Sequence, residues 1–463
     1  MQVLWDQVVT YYLLYSLGGL AILLTLMHML YKRRSPISMI AWLLFMVIAP
    51  YLFVLFYFLF GIRKRTFSED KSPLFIQTPD KERPVIHPID TLLRGYAIAP
   101  ATNDNTLMLY TDAVDAYNEF FAVIRSAEHS IFISTYLLRN DHLTKALFDI
   151  LIEKSKAGVD VRILTDSLGS MGIYLWRFPL KRLRDAGIRF SFFMPLFSSI
   201  FRNRLNLRYH RKIYLIDQKV LFSGGMNLAK EYMSPTRGEE QWIDILYRCE
   251  GSMVSNYIDI FDADWKYAEQ NASKKIPAVK TSKKGDCELQ VIPSGPDVTG
   301  DALLETIIYA INRATERIWI VTPYFVPGEL ILRSLQIARN RGLDVKLITP
   351  KESNHLIADL VRSSYIRELQ EWNIDIALYE GPMLHAKAVL FDNDAVLLGS
   401  VNLDNRSLLL NYEVVTIAYS KEQIDQMDAW MKKLLQNASQ QIEPAGSIRR
   451  VFENLMRIFA LQL

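Results

Sequence analysis

Two stretches of the chain share one pattern: YHRKIYLID at residues 209–217 and LHAKAVLFD at residues 384–392. Each reads histidine, one residue, lysine, four residues, aspartate. The matching residues are His210, Lys212 and Asp217 in the first stretch, and His385, Lys387 and Asp392 in the second. Chance would produce one such spacing in roughly a few per cent of chains of this length. Two copies in one chain indicate a signature.

The sequence around the two stretches repeats as well. Asn227 and Asn402 each follow their histidine by seventeen residues, and an acid in a strand-like context comes next, Asp244 in QWID and Glu413 in NYEV. Each half alternates strand-like and helix-like segments. The strand-like segments are 129–138, 157–166 and 186–193 in the first half, and 317–326, 341–350 and 372–380 in the second. The sequence therefore predicts an α/β fold in which one unit occurs twice.

The pattern of residue types suits attack on a phosphodiester. Residues i and i+2 of a strand point to one face, so the histidine and lysine of each motif project together. If the halves pack about a pseudo-twofold axis, one neutral histidine can attack phosphorus while the other, protonated, donates to the leaving alkoxide. The lysines and the two asparagine amides would neutralise the phosphoryl oxygens. Asp244 and Glu413 are candidates for orienting the histidines.

Other titratable residues receive lesser roles. Asp217 and Asp392 complete the two candidate catalytic sets, but they have the opposite face parity and are expected to hold the turn after the strand. The scheme needs no metal or other cofactor, and the sequence shows no cluster of metal ligands. The remaining histidines have no comparable partners and are assigned no catalysis; they are His28, His87, His129, His142 and His355.

The N-terminal region is strongly apolar. The stretches Val8–Leu30 and Ile37–Ile62 carry no acidic, lysine or arginine side chain, and each is long enough to cross a hydrocarbon core of roughly 30 Å. They predict a two-helix transmembrane hairpin within residues 1–65, with two buried core helices as the alternative. Pro50 is expected to kink the second helix or to mark it as re-entrant.

Charge does not orient this hairpin. Lys32-Arg33-Arg34 and Arg63-Lys64-Arg65 flank the second stretch, and in a two-span hairpin they lie on opposite faces of the membrane. The positive-inside rule then nearly cancels. The C-terminal body is expected on the same side as the N-terminus.

The rest of the chain divides at two polar stretches. Residues 66–105 and 271–287 are predicted linkers, which leaves 106–270 as the first half and 288–463 as the second. The segment 192–201 is either core or a lipid-facing loop. Residues 447–463 have apolar residues at helical spacing and predict a helix packed on the domain, with membrane-surface contact as the alternative.

Bulk composition excludes some classes. A net charge of +3 is too small to indicate a nucleic-acid partner by itself. The two cysteines, Cys249 and Cys287, lack metal-like spacing and make a disulfide framework improbable.

The repeated motifs resemble the phospholipase D superfamily, and the whole chain resembles its bacterial cardiolipin synthases. Further matches lie along most of the chain: AWLL (41–44), TDSLGS (165–170), QWID (241–244), VIPSGPD (291–297) and LGSVNLDNRSLLLNYE (398–413). Tyr209, where relatives often carry Asn, and Asn354, where an acid is expected, depart from the family pattern. Either could lie near the acceptor pocket.

The resemblance implies phosphatidyl transfer. One phosphatidylglycerol would form a phosphohistidine intermediate and release glycerol, and a second would accept the phosphatidyl group to give cardiolipin. It also implies His210 as nucleophile, His385 as acid–base, and an integral protein of the bacterial cell membrane with its catalytic domain on the cytoplasmic face. Anionic membrane lipid is then the partner, and nucleic acid is not.

Three other functions fit the same motifs. A phospholipase D-type hydrolase shares every catalytic residue and differs only in accepting water. A membrane-tethered nuclease is disfavoured by the modest charge and the lack of an aromatic-plus-basic groove. A non-catalytic scaffold is disfavoured because both motifs are complete. The acceptor alcohol, the acyl-chain preference and the oligomeric state stay open.

Overall fold

The computed structural model describes residues 1–34, 36–61, 71, 74, 84–196, 206–238, 241–270, 275–277, 283–442 and 444–457. These residues form two compact units. One consists of Met1–Arg63 together with Leu196–Asn206, and the other contains the remainder of the chain. Most of the expected linker 271–287 and the end of the C-terminal segment lie outside the described residues.

The first unit contains three helices, α1 (Gln2–Tyr31), α2 (Pro36–Ile48) and α3 (Pro50–Phe60). Among the described residues, α1 is the one helix long and apolar enough to cross a membrane, over Trp5–Tyr31 with a mean hydropathy of 1.9. The second apolar stretch is not a single helix, because Ala49 leaves helical geometry and Pro50 starts a new one. At about 1.5 Å per residue, neither α2 nor α3 alone spans a hydrocarbon core of roughly 30 Å.

Contacts within this unit show how the three helices run. Phe45 stacks on Phe53 at 5.1 Å and Trp42 meets Tyr57 at 5.5 Å, so α2 and α3 form an antiparallel pair. The start of α3 lies beside the middle of α1, where Tyr51 donates a hydrogen bond to the Leu14 carbonyl. Near its end, Tyr57 Oη lies 3.0 Å from Nδ1 of His28. Helix α3 therefore runs parallel to α1 and returns to the level of the C-terminal end of α1.

The second unit is built on a large sheet. The strands of its first half are β1 (Thr102–Tyr110), β2 (Ser130–Thr135), β3 (Asp160–Thr165), β4 (Arg189–Phe192), β5 (Ile213–Ile216), β6 (Val220–Gly224) and β7 (Leu246–Glu250). Those of its second half are β8 (Cys287–Ser294), β9 (Arg317–Val321), β10 (Phe325–Val326), β11 (Asp344–Pro350), β12 (Asp375–Tyr379), β13 (Ala388–Phe391), β14 (Ala395–Gly399), β15 (Leu403–Asp404), β16 (Glu413–Ala418) and β17 (Ala438–Ser439).

Helices cover this sheet. They are α4 (Pro88–Gly95), α5 (Ala113–Ser126), α6 (His142–Lys156), α7 (Met171–Leu175), α8 (Phe178–Asp185), α9 (Met253–Ala268), α10 (Ala302–Arg313), α11 (Glu329–Asn340), α12 (Leu356–Glu371), α13 (Asn405–Leu409), α14 (Lys421–Gln436) and α15 (Ser447–Met456). Their starts follow local chemistry. Asp112 caps α5 by accepting from the Val114 N–H at 2.9 Å, and Asp141 caps α6 by accepting from the Thr144 N–H at 2.9 Å.

The order of strands repeats from the centre outward. It reads β17-β12-β11-β9-β13-β14-β16-β8-β1-β7-β6-β5-β2-β3-β4, while β10 and β15 pair separately. Apart from β17, each strand on one side of the central antiparallel β8–β1 pair has a counterpart at the same distance on the other side. The predicted duplicated α/β fold is confirmed. The motif strands β5 and β13 are fully buried, because both sheet faces are covered.

The stretch 66–105, expected to be a linker, contains structure. Helix α4 and the start of β1 lie in it, and Ile89 and Leu93 are buried in the core of the second half. Pro88 favours a helix start, and the imidazole of His87 accepts from the Ile89 N–H at 3.1 Å. Because this stretch is mostly polar, its composition did not predict the short amphipathic helix α4. Of the stretch 192–201, Phe193 and Met194 are buried core residues, and 197–201 lie outside the described residues.

Candidate active site

Each motif histidine lies three residues before its strand, β5 or β13, and is held there by the other half of the chain. The His210 N–H donates to the Tyr412 carbonyl at 2.8 Å, and the His385 N–H donates to the Ile243 carbonyl at 2.7 Å. Single parallel bridges, Tyr209–Tyr412 and Ile243–Leu384, form at the same two places. In each case the next residue in the chain is the acid: Glu413 follows Tyr412, and Asp244 follows Ile243.

Two crossed carboxylate–histidine pairs result. His210 Nδ1 lies 2.9 Å from Glu413 Oε2, and His385 Nδ1 lies 2.7 Å from Asp244 Oδ2. Both carboxylates are completely buried. Because a buried carboxylate accepts hydrogen bonds, Nδ1 of each imidazole carries the proton and Nε2 is left to react. Removing either partner would leave an unpaired buried group, which costs several kcal/mol.

The two lysines converge on the same place. Lys212 Nζ donates to the His210 carbonyl at 3.0 Å. Lys387 Nζ lies 2.7 Å from Nδ1 and 3.2 Å from Nε2 of His385, and 4.0 Å from Asp244 Oδ2. Burial lowers the pKa of Lys212 to about 7 and that of Lys387 to about 8, against the attraction of Glu413 and Asp244. The Lys387 ammonium also lowers the pKa of Lys212, so the two halves bring their cations together. These two lysines favour the binding of an anion.

The pKa of both imidazoles is lowered, which favours their neutral form. Burial lowers the pKa of His385 to about 3, and the Lys387 ammonium adds to the effect while Asp244 opposes it. Burial also lowers the pKa of His210, with Glu413 opposing and Lys212 adding. Lys387 lowers the pKa of His210 as well, which again places the two motifs close together. An anionic phosphodiester between the lysines would raise all of these pKa values.

Aromatic rings surround the imidazoles unequally. The His210 ring meets Tyr136 edge-on at 4.9 Å. The His385 ring meets three aromatic side chains, at centroid distances of 5.2 Å from Tyr232, 5.1 Å from Trp242 and 6.3 Å from Tyr324. The second histidine lies in the more apolar surroundings.

The motif aspartates lie at the other end of their strands. The Asp217 carboxylate accepts from the N–H groups of three residues that lead into β2, Glu128, His129 and Ser130, at 2.7–3.2 Å. Asp392 does the same for Thr315, Glu316 and Arg317 before β9 at 2.8–2.9 Å. Both have left-handed φ, 51° and 50°. The structure places them at a turn that fixes neighbouring strands, apart from the histidines.

The two asparagines are buried beside the motif strands. Asn227 Oδ1 accepts from the Leu137 N–H at 3.3 Å, and Asn402 Nδ2 lies 3.4 Å from Ser407 Oγ. Among the described residues, Asn402 Oδ1 has no hydrogen-bond partner. Both amides could turn toward a bound phosphate.

Sequence reasoning missed the groups that hold Glu413. Ser400 Oγ donates to its Oε2 at 2.5 Å and Asn411 Nδ2 to its Oε1 at 3.3 Å. Both lie within the LGSVNLDNRSLLLNYE segment, so the signal was present, but their partner is visible only in the fold.

Sequence reasoning also missed a buried ion network under His210. Arg211 bonds Asp264 at 2.7 Å and Asp297 at 3.1 Å, and its Nε donates to the Glu413 carbonyl at 3.1 Å. Lys71 bonds the same two aspartates at 2.5 and 2.7 Å. Two cations thus balance two carboxylates drawn from both halves. Asp297 ends the VIPSGPD motif, which was the only sequence signal.

The two departures from the family pattern have partners. Tyr209 Oη donates to Asp264 Oδ2 at 2.9 Å, which joins it to the ion network. Tyr324 Oη donates to Asn354 Oδ1, and Tyr324 lies against His385. Asn354 therefore reaches the site through one tyrosine. Among the described residues, no group of three or more His, Cys, Asp or Glu side chains is arranged to hold a metal ion.

An α/β unit that occurs twice and supplies one His-x-Lys pair from each half defines the phospholipase D-like class. The family model described as "Cardiolipin synthase, PLD-like domain" matches residues 120–265 and 307–435, more than half of the chain. The chain belongs to this family.

Several curated proteins are similar to this chain along nearly its whole length. A cardiolipin synthase of Clostridium perfringens is 30% identical over 452 residues, which cover 92% of this chain and 94% of that protein. Cardiolipin synthase 1 of Bacillus cereus is 29% identical over 460 residues, covering 93% and 90%. The cardiolipin synthase of Geobacillus kaustophilus is 31% identical over 417 residues, covering 86% and 82%.

A solved structure shares the fold. The crystal structure of phosphatidylserine synthase from Haemophilus influenzae Rd KW20 superposes with a TM-score of 0.60 and 14% identity, covering 81% of this chain and 97% of that one. At this identity the likeness concerns the fold alone.

Proposed function

We propose that this chain is a cardiolipin synthase that transfers a phosphatidyl group from one phosphatidylglycerol to another. Family membership supports the reaction class. The observation that carries the proposal is the pair of crossed contacts, His210 with Glu413 and His385 with Asp244. We infer that the two Nε2 atoms and the two lysines face one position, at which the phosphorus of a phosphodiester would be displaced in line.

The first step forms a phosphatidyl-histidine. Neutral His210 attacks phosphorus through Nε2, the bond from phosphorus to the glycerol oxygen breaks, and protonated His385 gives its proton to that oxygen. Free glycerol leaves. The lysines take up the charge that shifts onto the non-bridging oxygens, and Asn227 and Asn402 donate their amide hydrogens to the same oxygens.

The second step reverses the proton transfer. A terminal glycerol hydroxyl of a second phosphatidylglycerol enters, and His385 removes its proton as the oxygen attacks phosphorus. The bond from phosphorus to His210 breaks, and cardiolipin forms. The steps use side chains of the chain alone. Asp217 and Asp392 act at a distance, by fixing the strands that carry the histidines.

We propose that the protein resides in the bacterial cell membrane with its catalytic unit on the cytoplasmic face. Helix α1 is long enough to cross, while α2 and α3 enter and return as a re-entrant pair, since α3 ends level with the C-terminal end of α1. Lys32-Arg33-Arg34 then follow the end of α1 on the face to which α3 returns, and the positive-inside rule makes that face cytoplasmic. This arrangement replaces the two-span hairpin expected from hydropathy.

Cysteine accessibility tests the arrangement. With Trp5→Cys, we expect a membrane-impermeant maleimide to label intact cells, whereas Lys32→Cys should react only after permeabilisation. In a two-span hairpin with a cytoplasmic body, position 5 would be protected in intact cells. The native Cys249 and Cys287 are buried and add little background.

The reaction is tested with purified full-length protein in phosphatidylglycerol vesicles and lipid mass spectrometry. Wild type should release cardiolipin and glycerol in equal amounts. His210→Ala and His385→Ala should each lose about 10²–10⁴-fold in rate, while His142→Ala, an exposed histidine on α6, should match wild type. Phosphatidic acid as the product would identify a hydrolase, and absence of any lipid product would turn attention to other phosphodiesters.

The same samples assign the nucleophile. After an acid-free quench, the phosphatidyl group should be found on the peptide that contains His210. A label on His385 would reverse the two roles and leave the reaction class unchanged.

A further inference from the structure

Helix α15 turns its apolar side to solvent. The exposed fractions are 88% for Ile448, 69% for Val451, 48% for Phe452 and 54% for Leu455. These positions are spaced i, i+3, i+4 and i+7, so they form one stripe along the helix. A surface helix of a globular domain normally buries such a stripe.

The polar side of α15 holds it on the protein. Glu453 is 1% exposed and accepts from Arg367 at 2.7 Å and from Arg449 at 2.9 Å. Ser364 Oγ bonds Asn454 at 2.5 Å, and the Arg457 guanidinium stacks on the Tyr365 ring at 4.1 Å. At about 100° per residue, Leu455 lies about 200° around the helix from Glu453. The helix does pack on the domain, as the sequence predicts, but with its polar side.

We propose that α15 is an interfacial anchor whose apolar stripe inserts into the surface of an anionic bilayer. A helix with a charged side and an apolar side characteristically lies in the plane of the interface, with its apolar side buried about 5–10 Å. Arg450 adjoins the stripe and would lie at headgroup level, where anionic lipid attracts a basic residue by about 1 kcal/mol. The inference rests on the proposed membrane location.

A second protein is a poorer occupant. A standard protein–protein interface uses about 20–30 residues a side, and the stripe offers four side chains on one ten-residue helix. A bilayer needs no complementary shape, so a short stripe suffices. Functionally, the anchor would hold the catalytic unit against the surface that contains its lipid substrate, in addition to the anchoring by α1.

The test places an environment-sensitive fluorophore at Phe452→Cys in the full-length protein. Vesicles contain equal parts of phosphatidylcholine and phosphatidylserine, so that the anionic lipid is not the proposed substrate. We expect blue-shifted emission, quenching by a spin label near the lipid carbonyls, and protection from iodide. Arg450→Glu in the same background should weaken all three.

Two further label positions make the outcome decisive. Leu330→Cys, at an apolar residue on α11 that is 63% exposed, should stay open to iodide. Tyr15→Cys on α1 should be quenched from deep in the bilayer. A deep Tyr15 signal with an iodide-accessible Phe452 would overturn the anchor and leave the membrane location standing, whereas failure of both would remove both. Protection of position 452 that depends on protein density and ignores lipid charge would indicate a second copy and overturn the proposal.

Discussion

The two histidine sites share a plan and differ in what surrounds them. Among the described residues, His210 packs against one tyrosine, and its carboxylate Glu413 is held by Ser400 and Asn411. His385 lies among three aromatic rings, and Asp244 accepts from the Ile245 N–H at 2.7 Å. Identical motifs have therefore been placed in unlike environments.

The difference shows in protonation. Both histidine pKa values lie below 6.5, and burial among aromatic rings beside Lys387 takes that of His385 to about 3. For His385 to act as the acid in the first step, the bound phosphodiester must raise its pKa more than that of His210. Under the proposed roles, the charge of the bound phosphodiester is therefore needed to separate the two histidines.

The largest effect on activity is expected from a substitution at Gly225, which occupies in the first half the position that Ser400 occupies in the second. A Cβ at Gly225 would lie 2.0 Å from Asp244 Oδ1. Gly225→Ser should displace Asp244 and lower kcat about 10²–10⁴-fold, as loss of a positioned acid–base does. Ser400→Gly removes one charge-assisted hydrogen bond from Glu413, and a loss of about 10-fold is expected. Steady-state rates on phosphatidylglycerol vesicles measure both.

A second glycine serves as a control that distinguishes an effect on the active site from a general effect on folding. Gly172→Ser lies on α7 with no atom within 4 Å of the new Cβ, so its rate and melting temperature should equal those of wild type. If Gly225→Ser kept full activity, the idea that Asp244 must sit within hydrogen-bond reach of His385 would be wrong.

A smaller effect is expected in the pH dependence of stability. A histidine whose folded pKa is lowered binds fewer protons than the unfolded chain below about 6.5, so stability falls as pH drops through that window. Lys387→Met removes one cause of the low pKa of His385. The variant should therefore lose less stability than wild type between about pH 6.5 and 4.5. Melting temperatures in detergent across this range measure the difference.

Lys387 itself, with a pKa of about 8, stays protonated throughout the window. Its removal also raises the pKa of His210 and of Lys212, which changes the pH dependence of stability in the same direction as the change at His385. The opposite change is expected for Asp244→Asn, since Asp244 raises the pKa of His385. A steeper acid loss in Lys387→Met would refute the assignment.

Much of the fold was accessible from sequence because duplication makes a weak pattern strong. A single His-x-Lys spacing is weak evidence for a catalytic motif. Two copies, each followed by a matching asparagine and acid, predicted the repeated α/β unit. Helix α4 was not predicted, because the sequence around it is polar and rich in proline. Pro50 signalled a break, but the return of α3 along α1 depends on contacts such as Phe45 with Phe53 that hydropathy does not register.

The residue types, their spacing and the buried strands next to them can be read from the amino-acid sequence, because these are local properties of period and composition. The pairing of Glu413 with His210 and of Asp244 with His385 is visible only in the folded chain, since each pair joins residues far apart in the sequence. The tertiary structure also decided the side of α15 that faces outward. A helical pattern shows that a stripe is apolar, and packing determines what the stripe meets.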